Sequence, residues 1–244
     1  MKKLVLFLAT TLVWSLLPAV SGAATRPCLQ GPDKSKRGLI EADVDGDELS
    51  DRVWLAGRRA AKWCRWYLVI DSSSFGKIRK RVKPADDYER WVLRNGVGPV
   101  ALVEIDSVPG HEIALQLARG AAVGGMGLFT LREGIVHRMR VARRREPRNG
   151  VFLYGGSGSA IYSTDCIAGD SDRLISSYAR PRNYEGQRKQ WIVKRRWFQV
   201  EGTKFVWGAT HKATVRFERI PRLFDEFAGW QTLLQNCEGV TLDD

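Results

Sequence analysis

The chain has 244 residues, of which 44% are hydrophobic and 27% charged, with a formal charge of +12, four cysteines and three histidines. That apolar fraction excludes a disordered polyelectrolyte or a collagen-like fibre, and beyond residue 17 no apolar run approaches the roughly 20 residues of a membrane span. His111, His137 and His211 lie far apart with no cysteine beside them, which leaves little material for a zinc finger or a histidine-rich metal enzyme.

In chain order, the first predicted element is a secretory signal over residues 1–24. Lys2 and Lys3 form its positive start, Leu4 to Leu17 its apolar middle, and the small residues Ala19 to Ala24 its cleavage region. Secretion without a lipid anchor or membrane span is the expected outcome, and it places Cys28, Cys64, Cys166 and Cys237 in an oxidising compartment. Four cysteines allow three pairings. The pairs Cys28–Cys64 and Cys166–Cys237 are favoured because each closes within one half of the chain.

Residues 25–244 read as one all-β domain, because short apolar or aromatic runs alternate with Gly, Pro, Asp and Asn. The predicted strands are 52–56, 64–71, 88–93, 100–105, 112–118, 127–131, 135–141, 151–154, 160–163, 173–178, 190–200, 204–207 and 213–217. Glu201-Gly202-Thr203 is a predicted hairpin turn, and Leu223 to Leu234 the one predicted helix.

An internal echo divides this domain. Asp43-Val-Asp45-Gly-Asp47-Glu-Leu-Ser-Asp51 leads into Arg52-Val-Trp-Leu55, and Glu104-Ile-Asp106-Ser-Val-Pro-Gly110-His-Glu112 leads into Ile113-Ala-Leu115. A weaker third copy runs from Thr164 to Asp172 and into Arg173-Leu-Ile175. The expected units are about 36–95, 96–155 and 156–244, each an acidic or glycine-containing turn followed by the strands of one sheet module.

The first loop carries Asp43, Asp45, Asp47 and Asp51 at positions 1, 3, 5 and 9, with the Leu49 carbonyl at position 7 and Gly46 at the bend. Alternate carboxylates around a tight turn supply the six to eight oxygens that calcium takes. Packed together, four aspartates repel one another unless a cation lies among them. Trp54 at position 12 excludes an EF-hand. The run from Asp43 to Leu55 resembles the calcium loop of FG-GAP or VCBS-type repeats, which build the blades of secreted β-propellers such as the integrin α-subunit head. The resemblance implies propeller-like antiparallel modules and calcium held by Asp43, Asp45, Asp47, Leu49 and Asp51. Glu48 stands where the family has glycine, which implies a strained turn. Val108 replaces an acidic position in the second loop, which should keep the turn without the ion. Closure as a propeller needs four or more blades, more than three units supply.

Removing Lys2 and Lys3 leaves a charge of 12 − 2 = +10, concentrated in two stretches. Arg138 to Arg148 holds six arginines and one glutamate, and Arg180 to Arg196 holds seven basic residues and one glutamate. Such localised charge favours a polyanion, with binding that weakens as salt rises. The residues predicted to carry it are Arg143, Arg144, Arg145, Lys194, Arg195 and Arg196, and the partner is an anionic extracellular polymer or a protein ligand. Trp191 and Trp197 flank the second cluster, with a packed core role for both as the simpler reading. No nucleophile and base stand out, since Ser157 in Gly155-Gly-Ser-Gly-Ser159 lacks the last glycine of a nucleophile elbow. The sequence therefore points to a secreted calcium-binding repeat protein acting as a binding or adhesion module. The alternative is a secreted hydrolase of envelope polysaccharide built on a carboxylate pair.

Overall fold

A computed structural model describes residues 39–60, 63–83, 99–119, 122–141, 151–157, 160–167, 170–182, 190–219, 234 and 237–242. The predicted signal, the strand at 88–93, Arg143 to Arg145, Cys28 and all of the predicted helix except Leu234 lie outside the described residues. Those described are all-β, with a single 3-10 turn at Phe217–Arg219. No closed barrel or propeller is found among them. No helix among them is long and apolar enough to cross a membrane.

The first sheet is an antiparallel meander in the order β1 (Leu39–Ala42), β2 (Asp51–Ala60), β3 (Trp63–Ser72) and β4 (Gly76–Val82). β4 was not expected from its residues, Gly-Lys-Ile-Arg-Lys-Arg-Val. Its charged side chains suit the exposed edge of a sheet, where they discourage pairing with another chain.

The second sheet begins with β5 (Pro99–Glu104), β6 (Glu112–Arg119) and β7 (Val123–Arg132). The outer edge of β7 is shared. Its second half pairs β8 (Ile135–Arg138), and its first half pairs β10 (Phe152–Ser157). From there the sheet continues through β11 (Ala160–Ile167), β12 (Asp170–Pro181), β13 (Gln190–Glu201) and β14 (Lys204–Arg216). β14 is one strand where two were expected, and the turn at Gly202 joins it to β13 as predicted. The short β9 (Arg140–Val141) lies parallel to the start of β14, and β15 (Glu238–Leu242) returns to pair with β5.

Alternation along β5 to β7 explains the packing. Leu102, Ile113, Leu115, Phe129 and Leu131 face the first sheet and share a core with Val53, Leu68 and Ile70. The intervening Ala101, Val103, Ala114, Met126 and Leu128 point the other way, into a second core with Phe152, Leu174, Phe198 and Phe205. Strands buried on both faces read as continuous apolar runs, as 99–103 and 113–115 do. The Cys166–Cys237 disulfide forms as expected and ties β11 to the segment entering β15. In the loop-entropy account a bridge across 71 residues contributes about 4 kcal/mol. Cys64 sits in β3, and its expected partner Cys28 lies outside the described residues.

Candidate metal centre

Residues 43–50 form the connection from β1 to β2, and the loop is held by its own carboxylates. Asp43 accepts from the Gly46 N–H at 2.6 Å and the Glu48 N–H at 2.8 Å. Asp45 accepts from the Asp47 N–H at 3.2 Å and from the Ser72 hydroxyl at 2.5 Å. Buried Asp51 accepts from the Val44 N–H at 3.0 Å and the Ser73 N–H at 2.9 Å. One oxygen from each of Asp43, Asp45 and Asp51 lies within 4.8 Å of the others, a spacing that one cation can span. No basic side chain is ion-paired with these three among the described residues.

Two of the five expected ligands lie outside that group. Asp47 accepts from the Ser73 and Ser74 hydroxyls and from the Leu49 N–H. Those hydroxyls hold its carboxyl below the usual range, whereas burial pushes the Asp45 carboxyl up. Leu49 is 59% exposed. Ser72, which ends β3, and Ser73 and Ser74 of the β3–β4 turn were missed by sequence reasoning. β-Pairing brings them in, because Arg52 opposite Asp71 sets the end of the loop against Ser72.

Two loop residues have left-handed backbone conformations: Gly46 at φ +83° and Glu48 at φ +66°. The expected strain at Glu48 is therefore present, since a side chain at positive φ costs about 1 kcal/mol or more. Replacement Glu48→Gly should raise stability by about 0.5–1 kcal/mol, after allowing for the greater unfolded-state freedom of glycine. Urea unfolding of the two proteins checks this, and a variant less stable than wild type would contradict it.

The second loop, between β5 and β6, repeats the geometry 61 residues later, as 51 to 112 shows. The Ile105 N–H donates to Glu112 at 3.1 Å as Val44 does to Asp51, and the Val108 N–H donates to Asp106 as Asp47 does to Asp45. At its centre is Arg132, from the end of β7. One guanidinium nitrogen lies 3.0 and 3.1 Å from the two oxygens of Asp106 and 2.8 Å from Glu112. Thr130 of the neighbouring strand β7 also donates to Glu112.

The two loops dock on each other. A side chain on Gly46 would meet the Pro109 carbonyl oxygen at 2.7 Å, and one on Gly110 would meet that of Val44 at 2.9 Å. His111 donates to the Asp43 carbonyl oxygen through its backbone N–H at 2.9 Å and through Nδ1 at 2.7 Å. Its Nε2 lies 3.5 Å from Glu104.

Burial, aided by repulsion from Asp106, pushes the Glu112 carboxyl from 4.5 up to about 7, against the weaker pull of the Ile105 N–H and of Arg132. A carboxyl raised by folding contributes its stabilisation fully below its unfolded pKa and loses it as pH rises through the folded one. Wild type should therefore lose stability relative to Glu112→Gln as pH rises from 4.5 through about 7. Parallel pH profiles of denaturation would contradict this.

The third echo has a different setting. Thr164, Asp165 and Cys166 lie within β11 and Asp172 within β12, so this segment is a hairpin and not a loop that precedes one. Asp165 is buried beside the disulfide and accepts from the Cys166 N–H at 2.8 Å. Among the predicted polyanion residues, Lys194, Arg195 and Arg196 are consecutive in β13, so alternation puts Arg195 on one face and the other two on the opposite face. Arg140, from the first basic stretch, pairs with Lys204 of β14. Trp191 is a core residue and Trp197 packs edge-on against His211. Ser157 ends β10.

No family model, no curated relative and no solved structure matches this chain.

Proposed function

We propose that the chain is a secreted, propeller-like repeat protein. Its first loop holds a structural calcium ion, and its basic stretches engage an anionic extracellular polymer, making it a binding or adhesion module. The observation that carries the calcium reading is the comparison of the two loops. The second gathers Asp106 and Glu112 around an internal cation, Arg132, whereas the first gathers three carboxylates with no ion-paired basic side chain described. The same loop hydrogen bonds in both imply the same electrostatic need, and oxygen ligands on a tight turn suit a hard cation.

Repetition supports the modular reading, since two acidic loops each feed a strand and hairpin. The basic stretches support polymer binding through charge. Calorimetric titration of the metal-free protein with calcium tests the central claim. Wild type should release binding heat and Asp45→Ala should not. No heat from wild type, or equal heat from both, would remove the calcium reading.

A further inference from the structure

Across the larger sheet, Tyr162 of β11 pairs with Tyr178 of β12, Tyr178 with Lys194 of β13, and Lys194 with Lys212 of β14. Directly opposed residues in antiparallel strands point to the same face, so these four side chains form one line across four strands. The two tyrosine rings touch, with centroids 5.1 Å apart. Two residues further along the strands in either direction, Arg180 and Arg196 join the same face. Behind this row, the opposite face is closed by a core of Ile161, Ala179, Trp191 and Val193. The row itself meets solvent: Lys212 and Arg180 are exposed, and Tyr162, Tyr178, Lys194 and Arg196 are half-buried.

Lys194 and Lys212 are directly opposed like charges, an arrangement that destabilises a strand pair. Neither is ion-paired with an acidic side chain among the described residues. A bound anion would relieve that repulsion, and a ring lying beside it would cover the tyrosines.

We propose that this face binds an acidic polysaccharide. Tyr162 and Tyr178 support its sugar rings, and Lys194 and Lys212, flanked by Arg180 and Arg196, pair with its carboxylates. The inference rests on the reading of the protein as a binding module for an anionic polymer and names both the surface and the ligand class. Nucleic acid suits the geometry less well. Rings already in contact leave no slot for a base, and the flat four-strand face, about 14 Å from first strand to last, does not enter a major groove about 12 Å wide.

The test is titration with sodium hexagalacturonate at low salt and one fixed calcium concentration. Binding should weaken with added salt, and it should weaken about tenfold or more in the double variant Lys194→Gln/Lys212→Gln. Arg173→Gln/His211→Gln, on the opposite face, should bind as wild type does. Absence of binding by wild type would overturn the proposal, as would unchanged affinity in the lysine variant or equal loss in the opposite-face variant. Tighter binding of an oligothymidylate of equal charge would also overturn it and assign the face to nucleic acid. Calcium heat is measured on the same variants. Its retention in the lysine variant separates failure of this surface from failure of the calcium reading, and thermal unfolding verifies that each variant folds.

Discussion

Excess calcium is expected to raise the thermal midpoint of the metal-free protein by about 5–10 °C. A ligand bound only by the folded state at 100 times its Kd adds about 2.7 kcal/mol, and each kcal/mol shifts Tm by roughly 2–4 °C in a chain of this size. The stabilisation has a local origin, because Asp43, Asp45 and Asp51 converge within 4.8 Å and repel one another when the centre is empty of charge. Asp45→Ala should abolish the response.

Asp47→Ala is the more discriminating variant. Its carboxylate is tied to Ser73 and Ser74, so the substitution should lower stability in the metal-free protein while leaving most of the calcium shift intact. Magnesium should stabilise less, since it demands near-octahedral geometry and gives up its waters reluctantly. Thermal scans with and without each metal measure all of these. Equal midpoints with and without calcium would contradict the assignment, as would full loss of the shift in Asp47→Ala for the narrower ligand set.

Removing the internal cation of the second loop is expected to have the largest single effect, a loss of about 3–5 kcal/mol in Arg132→Met, because breaking a buried pair strands the opposite charge. The side chains of Asp106 and Glu112 are 5% and 0% exposed and that of Arg132 is 17% exposed, so loss of the guanidinium leaves two poorly hydrated carboxyls facing each other. Neutralising one acid should recover part of that loss, making Arg132→Met/Glu112→Gln more stable than Arg132→Met alone. A second expectation links the two loops. Arg132→Ser vacates the position between the carboxylates, and calcium should then stabilise this variant by more than it stabilises wild type. Urea unfolding with and without calcium reads both effects. A loss below about 1 kcal/mol in Arg132→Met, the level of an exposed ion pair, would show that the guanidinium is not needed there.

The docking of the loops gives these two sites a shared frame. Gly46 and Gly110 permit backbone approach that a β-carbon would block, and His111 bonds to the carbonyl of Asp43. A cation drawing Asp43 inward therefore acts on a loop already braced by its neighbour.

Much of the architecture was legible because its signals are local. Alternation and turn chemistry located β2, β3, β5 to β8 and β10 to β13 to within a few residues, and the hairpin at Gly202 followed from its turn sequence. Charged β4 escaped because an edge strand with few buried side chains leaves little hydrophobic pattern. β14 was divided because Gly208 to Thr214 is exposed along its length, so burial imposes no alternation there.

For the candidate sites, sequence alone determined the acidic loop, its echo 61 residues on, the strained position at Glu48 and the concentration of basic charge in the second half. Each of these depends on residues close together in the chain. Only the tertiary structure decided which carboxylates converge, that Asp47 turns to the serines of another hairpin, and that Arg132 lies at the centre of the second loop. It also decided that consecutive Lys194, Arg195 and Arg196 divide between two faces, with Lys194 in line with two tyrosines and a second lysine. Beyond the loop carboxylates themselves, those partners are separated by 16 to 27 positions and brought together by strand register. Register depends on the packing of whole sheets against their cores, which no local motif encodes.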